Sequence, residues 1–318
     1  MHRYRNLLVP LLRFHLIETI WLVAKYTNFQ RKNSTHSTLL KLVTEASKML
    51  TNRLKISRTD NSFANENQII NNLLEEIDLK NHYLVDIGAA DGIRQSSTLK
   101  LLTEKGWKGS LIEVNPTSFS RLSFLYNETN DVNLCKAKVQ PDQVVNLLSG
   151  LKVPSDFDFL NLDIDSYDLA VLREVIRGEF RPALISMEIN EIFPPNIHFE
   201  VLFNSEHVWN EDHFFGCSIR AAFDFLSLHG YVLMCIEYNN AFFVDKARLK
   251  YPIDGQDPTE AYQSGYQDRQ ERYNFFPWNR AAEISGEWSV DEVRQHVDKI
   301  FMVEQDKYIL RIVQKTEI

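Results

Sequence analysis

From residue 66 onward, apolar positions alternate between two rhythms. Helical spacing over 66–78 gives way to a short apolar run at 83–87 and returns over 95–105. The exchange then repeats, with strands expected at 109–114, 132–138, 157–162 and 183–189 and helices at 117–127, 141–149 and 168–177. Strands separated by helices long enough to cross over imply a parallel sheet wound on both faces, with ligand sites at the carboxyl ends of its strands.

The rhythm breaks after residue 216. A helix over 217–229 ends at Gly230, a strand YVLMCIE covers 231–237, and AFFVD at 241–245 follows after Tyr238, Asn239 and Asn240. A connection that short cannot cross back to a parallel neighbour, so the last two strands form an antiparallel hairpin. The expected fold is therefore α/β, a doubly wound, mostly parallel seven-stranded sheet with one antiparallel terminal hairpin. Residues 63–248 make the main domain, preceded by a helical basic extension over 1–62. An extension over 249–318, expected to act as lid or interface, carries Ser289 and Glu292 at capping-box spacing and a strand-like YILRIV at 308–313.

Composition changes this picture only at the N-terminus. A hydrophobic share of 44% and a charged share of 25% are those of an ordinary globular chain. Three cysteines, Cys135, Cys217 and Cys235, show no C-x-x-C spacing, which points away from a disulfide framework or zinc site and toward a reducing, cytoplasmic location. The net charge of -8 conceals 11 Lys/Arg against 3 Asp/Glu in residues 1–60, which leaves -16 for the remainder. An acidic body argues against nucleic acid as a partner. The opening MHRYRNLLVPLLRFHLIETIWLVAKY is interrupted by Pro10, Arg13, His15 and Glu18, too often for a membrane span, and it lacks a signal-cleavage pattern. Its basic, Leu- and Trp-rich helix is read either as a peripheral membrane or partner contact, or as a helix packed on its own domain.

The candidate chemistry sits at the expected strand ends. VDIGAADG contains Asp86, Gly88, Ala89, Asp91 and Gly92, and has neither the third glycine of a dinucleotide fingerprint nor the Lys-Ser/Thr of a P-loop. Acids in this turn would repel a pyrophosphate, so a cationic or zwitterionic ligand with hydroxyls, such as S-adenosylmethionine, fits better than a dinucleotide. An ordinary tight strand-to-helix turn is the plain alternative. LIEVNP puts Glu113 at the end of the second strand, where a carboxylate can accept from both ribose hydroxyls, with Asn115 two residues on.

FLNLDIDSYD ends the fourth strand in Asp163, Asp165 and Asp168, and LISMEIN ends the fifth in Glu188 and Asn190. An even step within each strand directs Asp163 with Asp165, and Glu188 with Asn190, to one side. Asp163, Asp165, Glu188 and Asn190 therefore form a candidate oxygen set for Mg²⁺ or Mn²⁺. The alternatives are helix capping by Asp165 and Asp168, and direct hydrogen bonding to substrate by Glu188. Candidate general bases are His198, His207 and His213 in the irregular segment 191–215, with His198 and His213 placed first beside Asp163.

Together, VDIGAADG, SSTLKLLTEKGWKGSLIEVNP, LDIDSYD, PALISMEIN and FFGCS…GYVLMCIEYNNAFFV resemble the FkbM-like S-adenosylmethionine-dependent methyltransferases over about residues 63–246. The resemblance implies that Asp86, Gly88 and Gly92 shape the methionine site, that Glu113 holds the ribose and that Asp163 flanks the methionine or substrate end. It also implies that Val139 and Gln140 lie near the adenine. Ala90 departs from the pattern, standing where Asn is usual. The expected activity is O-methylation of a hydroxyl on a sugar, glycan or other small metabolite. The alternative is a methyltransferase-fold scaffold without turnover, docked by its basic N-terminal helices.

Overall fold

The computed structural model describes residues 62–313 apart from 302 and 304. The basic extension over 1–61, with the membrane or partner contact expected of it, lies outside the described residues. Along the chain run α1 (Glu66–Glu75), β1 (Tyr83–Ile87), α2 (Leu99–Thr103), β2 (Lys108–Glu113), α3 (Pro116–Leu125), β3 (Val132–Lys136), α4 (Pro141–Gly150), β4 (Phe159–Leu162), α5 (Asp168–Arg177) and β5 (Leu184–Glu188). They are followed by β6 (Ile197–Val201), α6 (Ile219–Leu228), β7 (Tyr231–Glu237), β8 (Asn240–Asp245), α7 (Pro258–Tyr262), α8 (Arg272–Phe275), α9 (Val290–Phe301) and β9 (Tyr308–Ile312).

Seven strands form one sheet in the order β3-β2-β1-β4-β5-β8-β7, parallel from β3 to β5, with β8 antiparallel to both β5 and β7. This is the doubly wound, mostly parallel seven-stranded sheet with one antiparallel terminal hairpin that the rhythm of the sequence predicts. Its central strands are continuous apolar runs because both faces are covered. Successive side chains go to opposite sides: Val85, Leu160, Ile185 and Phe243 join one core with Leu172 and Ala222, whereas Leu84, Phe159, Leu184 and Phe242 join another with Ile70 and Leu122.

Two elements differ from the sequence expectation. The helix expected over 95–105 is confined to Leu99–Thr103, because Gln95 has φ +52° and the Ser96 hydroxyl accepts the Leu99 N–H at 3.2 Å, which makes the preceding residues a loop. The segment 191–215 is not wholly irregular: Ile197–Val201 forms β6, which pairs antiparallel with β9 from Ile197↔Ile312 to Val201↔Tyr308. A third core forms around this pair, where Phe193 stacks on Phe199 at 4.1 Å and Phe214, Val297 and Phe301 close over them.

The C-terminal region lies along the edge of the main sheet. The Gly265 carbonyl accepts the Tyr238 N–H at 3.0 Å, and a Cβ at 265 would meet the Ile236 carbonyl oxygen at 2.2 Å, so only glycine permits this approach. Ala261, Tyr262 and Tyr266 belong to the core on that side. Ser289 and Glu292 form the capping box, the Ser289 N–H donating to the Glu292 carboxylate at 2.8 Å and the Glu292 N–H to the Ser289 hydroxyl at 3.3 Å. No helix among the described residues is long and apolar enough to cross a membrane.

Candidate functional site

The first loop is built by backbone geometry. After β1, Gly88 takes φ +93° and Gly92 φ +71°, and a Cβ on Gly92 would meet Leu122 at 2.5 Å. The N–H groups of Gly88 and Ala89 both donate to the Ile112 carbonyl, at 3.0 and 3.1 Å. Ala90 lies in the left-handed region at φ +47°, a conformation that few residues other than glycine, Asn and Asp adopt. Asp91 turns back on its own loop, accepting from the N–H groups of Ile93 and Arg94 and from the Arg94 guanidinium at 2.9 to 3.0 Å. Burial alone would raise its pKa, but these donors outweigh it and hold the carboxyl below its ordinary value.

Glu113 fastens this loop to the next. One carboxylate oxygen accepts the Ala90 N–H at 2.8 Å and the other the Asn115 N–H at 2.5 Å. Asn115 in turn caps α3, its side chain accepting from Thr117 and Ser118. Asp86 is buried beneath, taking the Thr98 hydroxyl at 2.6 Å and the Asn161 amide at 2.9 Å; burial raises its pKa against the pull of those two bonds. Each oxygen of such a carboxylate retains a second lone pair. Beyond β3, the Val139 carbonyl accepts from the Tyr167 hydroxyl at 3.1 Å, and Gln140 immediately precedes α4, its side chain accepting from Gln143.

The acids of β4 and β5 meet. Leu162 is paired with Met187, so the residues that follow, Asp163 just beyond β4 and Glu188 at the end of β5, come side by side. Asp163, Asp165 and Glu188 each present an oxygen within 4.8 Å of the others. The convergence does not come from an even strand step, because β4 ends at Leu162 and Asp165 has φ +52°; the turn itself brings Asp165 back. Glu188 accepts from the Asn239 amide at 2.9 Å through one oxygen, while its other oxygen is buried with no donor but the Asp163 carboxyl within hydrogen-bonding reach. Burial, followed by repulsion from its neighbours, pushes Asp163 and Glu188 well above the usual carboxylate range and Asp165 to about 6. Three converging carboxylates whose repulsion a proton or a cation relieves have the donor chemistry that suits a hard divalent ion.

Asp168 and Asn190 are engaged differently. Asp168 accepts the N–H groups of Ile164 at 2.8 Å and Ser166 at 3.0 Å, so it braces the acidic turn from behind instead of capping the helix it begins. The Asn190 amide donates to the carbonyls of His213 and Phe215 at 2.8 and 2.9 Å, fastening that segment to the end of β5.

Of the three histidines, His198 lies on β6 and faces Asp224 at 3.4 Å and Glu200 at 3.8 Å. His213 meets the Asn279 side-chain oxygen at 3.2 Å, and the Asn279 amide continues to Glu191 at 2.6 Å, carrying the C-terminal region into the network. Burial pushes Glu191 up to about 7. His207 is the histidine brought to the acidic turn, where its Nδ1 meets the Ser166 hydroxyl. Forty-one residues separate the two partners and no motif joins them, so their meeting leaves no signal in the sequence. Glu66 was missed altogether: α1 presents it to the Ser97 hydroxyl and the Asn240 amide, both at 2.6 Å, and burial pushes it up to about 7.

No family model and no curated protein matches the chain. Among solved structures, it is similar to the METTL16 MTase domain, with 18% identity over 40% of this chain and 51% of that one and a TM-score of 0.29. The chain thus spans about half of that domain. It is also similar to a putative caffeoyl-CoA O-methyltransferase from Staphylococcus aureus, with 12% identity over 72% of this chain and 99% of that one and a TM-score of 0.39. A third likeness is to the N-terminal domain of EvdMO1 with SAH bound, at 13% identity over 59% and 83% of the two chains and a TM-score of 0.37. Likenesses this distant carry nothing about activity.

Proposed function

We propose that the chain is an S-adenosylmethionine-dependent O-methyltransferase acting on a hydroxyl of a sugar, glycan or other small metabolite. One observation carries this reading: the left-handed loop 88–92, tied to Glu113, and the Asp163–Asp165–Glu188 group share the carboxyl edge of a β3-β2-β1-β4-β5-β8-β7 sheet. A ligand crossing that edge meets the loop at its exposed residue Ala90, carboxylate lone pairs at Glu113, and acids at the other end. Those features suit a molecule with an ammonium, a sulfonium and a ribose diol and without phosphate.

In this reading, Gly88, Ala89 and Gly92 shape the loop that borders the methionine portion, Gly88 by closing on Asp163 and Gly92 on Leu122, Asp86 and Asp91 hold that loop, and Glu113 accepts from the ribose. Val139 and Gln140 line the adenine, and Asp163 stands where donor and acceptor meet. The sulfonium is already an activated methyl donor, so the protein has to align the acceptor oxygen, exclude water and accept a proton. Asp163, Asp165 and Glu188 would hold Mg²⁺ or Mn²⁺, which supplies Lewis-acid stabilisation of a developing alkoxide.

Calorimetric titration with S-adenosylmethionine, followed by mass spectrometry of hydroxylated acceptors incubated with labelled cofactor, tests the proposal. Absence of binding removes it. Binding without transfer to any acceptor would favour a scaffold that keeps the fold and the ligand without turnover.

A further inference from the structure

An acceptor hydroxyl ionises far above neutral pH, so its proton must leave as the methyl group arrives. Two side chains beside the acidic turn meet that need. Ser166 follows Asp165 directly and is 6% exposed. Its N–H donates to Asp168 at 3.0 Å, its carbonyl accepts from Gly216 at 2.6 Å, and its hydroxyl meets His207 Nδ1.

His207 is held just as firmly. The Lys138 ammonium, at the end of β3, donates to the carbonyls of Ser205 at 2.6 Å and His207 at 2.9 Å, drawing this segment against the sheet. The imidazole packs edge-on against the Phe214 ring at 5.5 Å, and a backbone hydrogen bond with Phe214 favours its protonated form. Acceptance of a proton from Ser166 requires the neutral ring to carry its own proton on Nε2 and to turn the bare Nδ1 toward the serine. Burial pulls the His207 pKa below its ordinary 6.5, with Lys138 acting the same way and Asp212 opposing. The ring is therefore neutral and able to accept a proton at pH 7.

We propose that Ser166 and His207 form the proton relay of the methyl transfer, Ser166 touching the acceptor hydroxyl and His207 receiving the proton through it. The acceptor O–H gives its proton to Ser166 Oγ while the Ser166 proton passes to His207 Nδ1. The acceptor oxygen forms its bond to the methyl carbon, and the carbon–sulfur electron pair returns to sulfur. A sulfonium and a neutral imidazole become a thioether and an imidazolium, so charge is conserved. The inference rests on the methyltransferase reading above.

The test uses the full chain, tritiated S-adenosylmethionine and a panel of methyl glycosides as acceptors. Ser166→Ala and His207→Gln should each lower kcat about a hundredfold with cofactor affinity and thermal midpoint unchanged. The double variant should be no slower than the slower single one, because the two groups act as a unit. The acid limb of the kcat profile, expected below pH 6.5, should vanish in His207→Gln. Nitrogen-15 NMR of histidine-labelled protein gives a readout that needs no acceptor: Nε2 should be protonated and Nδ1 bare near neutral pH. An Nδ1–H tautomer, or a folded variant that keeps the wild-type rate, overturns the relay alone. A chain that binds no S-adenosylmethionine overturns the methyltransferase reading and the relay with it.

Discussion

Gly88 lies so close to Asp163 that a Cβ at position 88 would sit 1.6 Å from the Asp163 carbonyl oxygen. The loop after β1 and the turn after β4 are therefore one unit: whatever moves the first loop moves the acidic turn. This contact couples the two halves of the candidate site without any side chain of Gly88 taking part.

Gly88→Ala should break that unit. The substitution combines direct overlap with a left-handed φ of +93°, and the strained backbone alone costs about 1–3 kcal/mol. We expect a lower denaturation midpoint and loss of S-adenosylmethionine binding by calorimetry. Wild-type affinity in this variant would mean that the loop is not part of the ligand site.

Glu113→Gln keeps the size of the side chain but replaces one acceptor oxygen with a donor, which faces the N–H of either Ala90 or Asn115. Affinity for S-adenosylmethionine should fall about ten- to a hundredfold, the equivalent of losing a hydrogen bond to a charged group. Asn115→Ala, which removes the cap of α3, should instead cost about 1 kcal/mol of stability. Titration and chemical denaturation of both variants separate the two effects.

The acidic group gives the fold a pH dependence. Folding raises the Asp165 carboxyl from 3.8 to about 6, and Asp163 and Glu188 move the same way. A group that holds its proton more tightly when folded contributes stability fully below its unfolded pKa and loses it as pH climbs through the folded value. In EDTA the thermal midpoint should therefore start to fall near about pH 4 and go on falling through about pH 6, and Asp165→Asn should flatten the part of the decline around pH 6. Mg²⁺ or Mn²⁺ should restore the midpoint at the upper end of that range. A midpoint indifferent to either ion in thermal scans would take the metal out of the site.

At the opposite end of the sheet, Asp158 pairs with Arg248 at 2.6 Å, both buried, and also accepts the N–H groups of Lys80, Asn81 and His82. Asp158→Ala leaves a buried guanidinium uncompensated and should cost about 3–5 kcal/mol. Because this pair precedes β4 and the site follows it, the folded fraction should still bind S-adenosylmethionine with wild-type affinity. A loss of affinity in protein shown to be folded would contradict that separation.

The sequence by itself determined what depends on neighbours along the chain. The alternating rhythms fixed five parallel strands and their crossover helices because each face of each element must find a core. Tyr238, Asn239 and Asn240 forced the antiparallel hairpin because three residues cannot span a crossover. Gly88 and Gly92 were legible because few other residues take their backbone angles. Tertiary structure alone decided the rest. The five-residue β6 carried too little periodicity after Pro194 and Pro195 to declare itself, and its partner β9 lies about 110 residues away. Asp165 reached Asp163 by a left-handed turn and not by the strand alternation that suggested it. Ser166 and His207 met because Lys138 and Phe214 hold the segment in place, and contacts of that kind follow from packing, which a linear pattern does not encode.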